Sequence, residues 1–485
     1  MKRKKKETKT KKPSKEEVKT AVYDSWKSET SSTYPKRYVV TGFELAHDCS
    51  KECVKALRMV ARYSQAQMIF TPVNTQVRAL ESQPDKLYDS LHISQDEIYK
   101  QFRFNHNLKL HDARINAQQN DPLTGLVDYG DHVNESIIIG HTKMNMRLQA
   151  TGTTTHPRMN RSTGVCTLPD YRENRQGQIA KRKHKLGGLF VEVFDEERFL
   201  IRELYYKDEE IYLVTRLPKH KYPHVWRFNI NYDRPKRSFL AGLVLGDIHV
   251  GLHDVQSLEA SFEQQWFLEP DYTLFHDFMD FNNPQSHHSI NKKSTHINRM
   301  SFYDDMLQCQ EFFDGFVNQA EQIGSEIVMV PSNHHEHLHK FLESGRFWNT
   351  TGKDFLLANE LAYKWFNLGQ DPLIALLDPD KDKATWLPLD NDFKIHNVHV
   401  GNHGHLGLGG SRGTVKQMSN LFRSSVSGHT HSPQTLEDHM TTGTNSLLNM
   451  PYSHGQGNTF MASNVGIFPN GTKTQLPIIK GVWYL

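Results

Sequence analysis

Short apolar runs recur through the second half of the chain, and a polar residue that can bind metal follows each one. Stretches between these runs carry apolar residues at helical spacing, as in the segment that begins after Ser301 and ends at Gly324 and in residues 353–368. Strands that alternate with helices, with polar groups at the strand ends, indicate an α/β layered fold. The predicted strands cover residues 239–245, 272–275, 326–330, 393–400 and 424–427, with further strands after residue 460.

The first half of the chain predicts a second, mixed region. Residues 38–40 and 67–70 have the apolar composition of strands, and residues 51–63 between them have helical spacing, which predicts one right-handed β-α-β unit. Residues 191–194 and 211–214 predict further strands. Pro218, Pro223 and Pro235 then interrupt a basic, aromatic stretch. We therefore predict a separate N-terminal α+β domain over residues 38–218 and a second domain over residues 237–485.

Composition favours a water-soluble protein of a reducing compartment. Apolar residues make up 37% of the 485 residues and charged residues 23%, and no apolar run reaches the roughly 18 residues of a membrane span. The N-terminus has lysines where a signal peptide has an apolar region. Four cysteines are too few for a disulfide framework. We expect a cytoplasmic protein without membrane contact.

The basic N-terminus is predicted to be a disordered tail over residues 1–20. Residues 1–12 hold eight Lys or Arg and one Glu, a net charge of +7, whereas the whole chain carries +3 and the remainder therefore −4. A run of like charges cannot bury apolar surface. The tail could simply aid solubility, or it could lie along nucleic-acid phosphates and raise affinity without reading sequence.

The polar groups after the apolar runs are Asp, Asn and His, and the chain holds 28 histidines. Asp247 and His249 are two residues apart on an extended segment and point to one side. Nitrogen and oxygen donors without thiolates suit manganese, iron or zinc. Seven donors exceed what one ion needs, and they divide between two ions about 3.5–4 Å apart, as in two-metal hydrolases. The seven are Asp247, His249, Asp277, Asn333, His403, His429 and His431.

The order of these groups resembles the calcineurin-like metallophosphoesterase superfamily. That superfamily has the blocks D-x-H, G-D-x-x-D, G-N-H-[DE], a later G-H or H-G-H, and G-H-x-H. The resemblance covers about residues 239–435, and all five blocks occur in order. The corresponding segments here are Asp247-Ile248-His249, His276-Asp277-Phe278-Met279-Asp280, Ser332-Asn333-His334-His335, His403-Gly404-His405 and Gly428-His429-Thr430-His431.

The resemblance implies a layered sandwich of β-sheets flanked by helices, and it implies a role for each block. Asp247, His249 and His431 would hold the first ion. Asp277 would bridge to a second ion. His334 would stay off the metals and act as general acid or stabilise the phosphoryl oxygens. The second ion would be held by Asn333, His403 and His429.

Three departures from the pattern leave alternatives open. His276 stands where the family has glycine, so Asp280 is the alternative to Asp277 as the bridge. Ser332 and His335 replace a glycine and an acidic residue, so another group must orient His334, and Glu336 is one candidate. His405 could replace His403 as a ligand. The remaining histidines of this block, His335, His337 and His339, are expected around the site or on the surface.

A glycine-rich stretch over residues 404–413 lies between two of these blocks. Glycine lets the backbone approach a phosphate closely, and Arg412 could clasp it with two hydrogen bonds. A flexible loop is the alternative interpretation. Lys416 and Arg423 add positive charge nearby. We predict Arg412 as a substrate-binding residue.

Taken together, these features predict a metal-dependent phosphodiesterase that hydrolyses the DNA backbone with little sequence specificity. Two divalent ions are expected, manganese before iron, zinc or magnesium. The basic tail and the large additional region resemble the SbcD-type repair nucleases and the metallophosphoesterase-type proteins of large tailed phages. A phage-encoded chain would act in the host cytoplasm, and the chain could form a homo-oligomer. Two alternatives are a phosphomonoesterase or small-nucleotide phosphodiesterase, and a non-catalytic DNA-binding protein with structural metals.

Overall fold

The computed structural model describes most of the chain from residue 36 onward and contains strands in four sheets. The described residues are 36–44, 47–73, 93–113, 115–116, 119, 121–126, 135–151, 157–281, 283, 300–411, 413–450 and 458–484. The predicted tail over residues 1–20 therefore lies outside them. The strands are β1 (Lys36–Phe43), β2 (Gln67–Pro72), β3 (Phe102–Asn105), β4 (Leu108–His111), β5 (Ser136–Ile139), β6 (Met146–Gln149), β7 (Arg158–Ser162), β8 (Gly187–Val193), β9 (Phe199–Tyr205), β10 (Glu210–Thr215), β11 (His224–Asn229), β12 (Lys236–Ser238), β13 (Gly242–Val244), β14 (Tyr272–Phe275), β15 (Glu326–Met329), β16 (Thr385–Trp386), β17 (Lys394–Ile395), β18 (Val398–His399), β19 (Ser425–Ser427), β20 (Gln434–Leu436), β21 (His439–Thr441), β22 (Ser463–Ile467) and β23 (Lys473–Pro477).

The α-helices lie mainly in the second half of the chain. No helix in the described ranges is long and apolar enough to cross a lipid bilayer. The helices are α1 (Lys51–Ser64), α2 (Arg175–Lys183), α3 (Val255–Leu268), α4 (Phe302–Ile323), α5 (His335–Glu343), α6 (Gly352–Leu368), α7 (Pro372–Leu377) and α8 (Val415–Leu421).

A six-stranded sheet forms the centre of the second half, in the order β16-β15-β14-β13-β22-β23. The strands β13, β14, β15 and β16 run parallel, and β22 and β23 complete the sheet antiparallel. Helices α3 and α4 pack against each other, with Phe262 stacked on Phe316 at 3.7 Å between ring centroids, and Phe316 also contacts Phe275 of β14. Helix α4 begins as predicted, since Ser301 Oγ accepts from the backbone N–H of Asp304.

A ten-stranded sheet, in the order β17-β18-β19-β21-β20-β6-β7-β5-β4-β3, packs against the six-stranded one. Buried aliphatic side chains from both sheets form one cluster, so the carboxyl ends of β13, β14 and β15 lie near those of β18 and β19. The cluster comprises Ala241, Val244, Leu274, Val328, Val330, Ile395, Val398, Val400, Val426, Met440, Val465 and Ile467.

The first half of the chain packs as layers around a four-stranded sheet in the order β2-β1-β8-β9. Strands β1 and β2, which precede and follow α1 in the sequence, pair in parallel, as the predicted β-α-β unit requires. One face of this sheet packs with α1 and the strands β10 and β11, through side chains such as Leu57, Phe190 and Trp226. The other face packs on strands β3–β7, through side chains such as Val40 and Ile138. The protein is therefore a mixed α/β structure with mixed sheets.

The ten-stranded sheet joins the two regions that the sequence divides near residues 218–237. Strand β20 of the second half pairs with β6 of the first half, through Thr435 and Met146. Residues 36–485 accordingly form one compact unit. The prolines that suggested a domain boundary lie in connections between strands. The pairing of β6 with β20 was not predicted, because main-chain pairing between distant segments has no signal in local composition.

The strand predicted over residues 393–400 is instead a hairpin of β17 and β18. His396 and Asn397 at its tip have left-handed backbone with φ of 45° and 65°. Two consecutive left-handed residues close a two-residue hairpin. The local sequence therefore turns the chain where apolar content alone suggested a continuous strand.

A buried carboxylate connects three of the sheets. Glu203 of β9 pairs with the guanidinium of Arg161 on β7, and both side chains are at most 1% exposed. Its Oε2 accepts from Thr474 Oγ1 at 2.9 Å and from the backbone N–H of Gln475 at 3.0 Å, both on β23. A buried charge with these partners fixes how the four-, six- and ten-stranded sheets pack.

We expect Glu203→Ala to lower the free energy of unfolding by about 3–5 kcal/mol, because it leaves the buried Arg161 charge without its partner. Urea denaturation followed by circular dichroism measures the change. Glu321→Ala, an exposed position on α4, is the control and should change the value by less than about 0.5 kcal/mol. Equal losses in the two variants would contradict this role of Glu203.

Candidate metal centre

The polar groups identified in the sequence follow the ends of five strands. Asp247 and His249 follow β13, Asp277 and Asp280 follow β14, and Asn333 and His334 follow β15. His403 follows β18, and His429 and His431 follow β19. Because these ends belong to two sheets packed on one another, residues distant in sequence meet at one edge of the fold.

The first donor group comprises Asp247, His249 and His431. The Nε2 atoms of His249 and His431 lie 2.9 Å apart, and His431 Nε2 lies 3.4 Å from Asp247 Oδ2. Atoms that share one ion at about 2.0–2.2 Å lie roughly 3–3.5 Å from each other. All three side chains are buried, and their donor atoms could hold one metal ion.

The second donor group comprises Asp277, His403 and His429. His403 Nε2 lies 3.0 Å from Asp277 Oδ2, and the same oxygen lies 3.8 Å from His249 Nε2 in the first group. The Asp277 carboxylate therefore stands between the two groups. Asp247 also reaches both, because its Oδ2 accepts from the backbone N–H of His429 at 2.7 Å.

Unusual backbone geometry supports this convergence. His249, His429 and His431 have left-handed φ values of 51°, 71° and 55°. Residues other than glycine rarely adopt this region, and such conformations persist where surrounding structure holds them. Gly428 is confined by close packing, since a Cβ there would collide with Asp247 Oδ1 and stand 3.2 Å from His403 Nδ1.

Asp280 contacts two adjacent histidines, His249 and His334, whose ring centroids lie 4.5 Å apart. Its Oδ1 lies 3.0 Å from Nδ1 of His249 and 3.3 Å from Nδ1 of His334. The Asp280 carboxylate accepts from Nδ1–H of His249. The lone pair of His249 Nε2 is therefore available to a metal ion on the side that faces His431. Asp280, His249 and His334 also form a third group of donor atoms close enough to hold an ion.

The structure decides two of the alternatives that the sequence left open. Asp277, not Asp280, lies between the donor groups, and the carboxylate beside His334 is Asp280, not Glu336. Glu336 instead pairs with Lys340 at 2.7 Å on α5. The sequence did not predict that Asp280 contacts His249 and His334. Its spacing from Asp277 placed it in the same block, which suggested it only as an alternative to Asp277 as the bridging ligand.

Burial and charge set the protonation of the site in the absence of added cations. Burial raises the pKa of Asp247 to about 6, against the effect of His403. Burial lowers the pKa of His334, but the charges of Asp277 and Asp280 outweigh it and raise that pKa to about 9. His334 is thus a charged proton donor over the neutral range, while burial and the neighbouring His249 hold the pKa of His431 well below its ordinary value.

Several enclosed polar atoms of the site make no hydrogen bond within the described part of the chain. They include Asp247 Oδ1, Asp277 Oδ1, Asn333 Oδ1 and His431 Nδ1. Leaving a buried polar atom without a partner costs about 1–3 kcal/mol each. Divalent cations would satisfy the three oxygens, whereas His431 faces the first donor group through Nε2 and its Nδ1 would remain outside that coordination.

The neighbouring histidines differ in their contacts. His405 lies 5.5 Å from His403 between ring centroids but is outside the donor groups, so His403 is the better-placed ligand. His335 Nε2 accepts from the backbone N–H of Phe278 at 3.3 Å. His339 bonds Asp371 at 2.7 Å, and His337 lies against the ring of His334. Arg412 lies outside the described residues.

Sequence reasoning treated His276 only as a departure from the family pattern. Its imidazole is 1% exposed, and neither ring nitrogen has a hydrogen-bond partner in the described ranges. The ring lies 5.6 Å from that of His403. No spacing signal marks this residue, because only the fold reveals that it packs behind the second donor group.

No family model matches this chain. The chain is similar to Protein A1 of Escherichia phage T5, with 26% identity over 398 residues that cover 75% of this chain. The match covers 66% of the phage protein, so this chain spans just under two thirds of that relative's length. The likeness indicates a distant relationship to a phage protein, whose name states no activity.

We expect Asp280→Asn to weaken the binding of divalent ions about 10- to 100-fold, because the amide is a poorer acceptor for the His249 ring N–H that orients this ligand. Competition with a fluorescent chelator measures the affinity. Asp380→Asn, which changes an exposed carboxylate, should leave it unchanged. Unaltered affinity in Asp280→Asn would show that His249 does not depend on this carboxylate.

Proposed function

We propose that this protein is a two-metal phosphodiesterase of the calcineurin-like type that hydrolyses the DNA backbone. The observation that carries the proposal is the position of the Asp277 carboxylate, which lies 3.0 Å from His403 and 3.8 Å from His249 and so between two groups of donors. One shared carboxylate between two donor groups is the arrangement that two-metal hydrolases use.

The fold supports this family assignment. Two sheets pack through one aliphatic cluster, with α3 and α4 against the six-stranded sheet, and donors come from both sheets at one edge. A metallophosphoesterase sandwich is expected to have packed sheets with flanking helices, so this arrangement supports the proposal. The order of donors along the chain also follows the order of the family's blocks.

The residues present fit two divalent ions. Asp247, His249 and His431 would hold one, Asn333, His403 and His429 the other, and Asp277 both. We propose manganese as the metal, and the mixed imidazole, carboxylate and amide donors also suit iron and zinc, with magnesium as a further alternative. When bound, two such ions would supply a water molecule of lowered pKa and would neutralise charge on a phosphoryl group.

His334 is the residue that we propose as general acid. Its side chain is 13% exposed at the edge of the donor groups, and Asp280 lies 3.3 Å from its Nδ1. Because the Asp280 carboxylate binds Nδ1, the Nε2–H is left to face a bound substrate. A proton delivered from Nε2 to the leaving oxygen makes that oxygen a better leaving group.

A cavity of about 610 Å³ offers a further contact for a phosphate backbone. Thr414 and three cations line it, but Arg147 pairs with Asp121 and Lys183 with Glu437, both in the same lining, which leaves Lys416. Thr414 follows Gly413, whose backbone N–H donates to the carbonyl of Gly404 at 3.0 Å, next to His403. Three cations and two acids leave this lining with a net charge of +1, and Lys416 would contact a phosphate without reading the nucleotide sequence.

We expect the full chain to cleave end-labelled single- or double-stranded DNA when manganese is added and to lose this activity in EDTA. Gel electrophoresis of the products shows the cleavage. p-Nitrophenyl phosphate and its bis-ester, assayed in parallel, separate the alternatives. Hydrolysis of the monoester without cleavage of DNA would favour the phosphomonoesterase, and metal binding without any hydrolysis would favour a non-catalytic DNA-binding protein.

We expect His334→Ala to retain both ions and lose about 10²- to 10⁴-fold in the rate of DNA cleavage, because only the proton donor is removed. Asp277→Asn should instead lose metal, because the shared carboxylate is gone. Metal content by mass spectrometry and cleavage rate are measured on the same preparations. His106→Ala, an exposed histidine, is the control, and parental behaviour of both site variants would refute these roles.

A further inference from the structure

A second cavity, of about 860 Å³, lies at the edge of the ten-stranded sheet opposite the donor groups. Its lining includes Val398, Ser424 and Asp438, at or just before the starts of β18, β19 and β21. The donor residues follow the other ends of β18 and β19. With a rise of about 3.3 Å per residue, Ser424 lies roughly 13 Å along the chain from Gly428. A small molecule in this cavity would not reach the donor groups.

The lining of this cavity has an excess of positive charge. Two acids oppose five cations in the lining, one of the five is the partner of Asp438, and Lys394 also pairs with Asp392 outside the lining. Glu437 pairs with Lys183, and Asp438 receives Lys185 Nζ at 2.7 and 2.9 Å on its two oxygens. The five lining cations are Lys185, Lys207, Lys394, Arg423 and Lys473.

Lys473 is a buried ammonium with unused hydrogen-bonding capacity. Its residue is 4% exposed, and its Nζ donates to Ser424 Oγ at 2.6 Å. An ammonium has three N–H donors, and a hydroxyl is a neutral acceptor. Burial lowers the pKa of Lys473 to about 8, against the effect of Asp438. An anion in the cavity would supply a charged acceptor for the remaining N–H donors of this ammonium.

The lining of the cavity also includes aromatic and apolar residues, and its volume is larger than a phosphate ion requires. Tyr206, Leu186 and Val398 contribute to the lining, as does His399, whose ring lies 4.2 Å from that of Phe422. Cavities of about 300–1,000 Å³ hold small organic ligands. An aromatic base could stack on such a wall while a phosphate meets the cations.

We propose that this cavity is a second ligand site, separate from the candidate metal centre, that binds a nucleoside monophosphate. The phosphate contacts Lys473 and the rim cations Lys394 and Arg423, and the base lies against Tyr206 and His399. Phosphate and base together distinguish this ligand from inorganic phosphate and from an uncharged nucleoside. The assignment does not depend on catalysis at the metal centre.

The test measures equilibrium binding of deoxythymidine monophosphate to the full chain in EDTA, so that no metal-bound phosphate contributes. We expect one site per chain. The double variant Lys394→Glu with Arg423→Glu should raise the dissociation constant at least tenfold, because both exposed side chains lie at the rim. Lys473→Met tests the contribution of the buried ammonium. If Lys473→Met does not fold, the double variant at the rim alone tests the site.

Lys51→Glu with Lys100→Glu reverses two exposed charges that do not line this cavity and is the matched control. It should bind like the parent. Unchanged binding in the rim variant would overturn the site. Equal binding of thymidine would overturn the role of the phosphate, and equal competition by inorganic phosphate would overturn the role of the base. Circular dichroism confirms that each variant is folded.

Discussion

The packing of two sheets through one aliphatic cluster is the constraint on which the candidate site depends. Val244 and Val328 of the six-stranded sheet lie in the same cluster as Val398 and Val426 of the ten-stranded one. This packing brings Asp277 within 3.0 Å of His403, although 126 positions separate them in the sequence. A small shift between the sheets would separate donor atoms that must share an ion, so the aliphatic core determines the chemistry at its edge.

The candidate metal centre lowers the stability of the fold when no cations are bound. Three of its histidines have left-handed backbone, and several buried oxygen and nitrogen atoms have no hydrogen-bond partner in the described ranges. Each of these features lowers stability by about 1–3 kcal/mol. The surrounding core offsets this cost, and bound ions would remove part of it, so metal binding and the stability of this edge are thermodynamically linked.

Buried charges organise the rest of the molecule in a similar way. Glu203 connects three sheets through Arg161, Thr474 and Gln475, so a first-half carboxylate fixes a second-half strand. Nearby, Lys473 on the same strand as Thr474 faces a cationic cavity. Strand β23 therefore contributes Thr474 and Gln475 to an ion-pair network whose charges are paired, and Lys473 to a cavity with an excess of positive charge. The paired charges stabilise the fold, whereas the excess charge indicates a candidate ligand site.

Local sequence by itself determined much of the framework and identified the candidate donors. The strand over residues 272–275, the helix that begins after Ser301, and the β-α-β unit near the N-terminus follow from apolar periodicity and capping, which act over a few neighbouring residues. The seven candidate ligands were identifiable because each follows an apolar run in a recurring order.

Tertiary structure alone decided which of these groups meet. It placed Asp277 between the donor groups, Asp280 beside His334, and the imidazole of His276 behind His403. It also joined the two halves in one sheet through β6 and β20, and it formed the cationic cavity from residues of β9, β17, β18 and β23 and of the connections between strands. These relations depend on strand pairing and side-chain packing between distant segments, and such contacts leave no periodic signal in the chain.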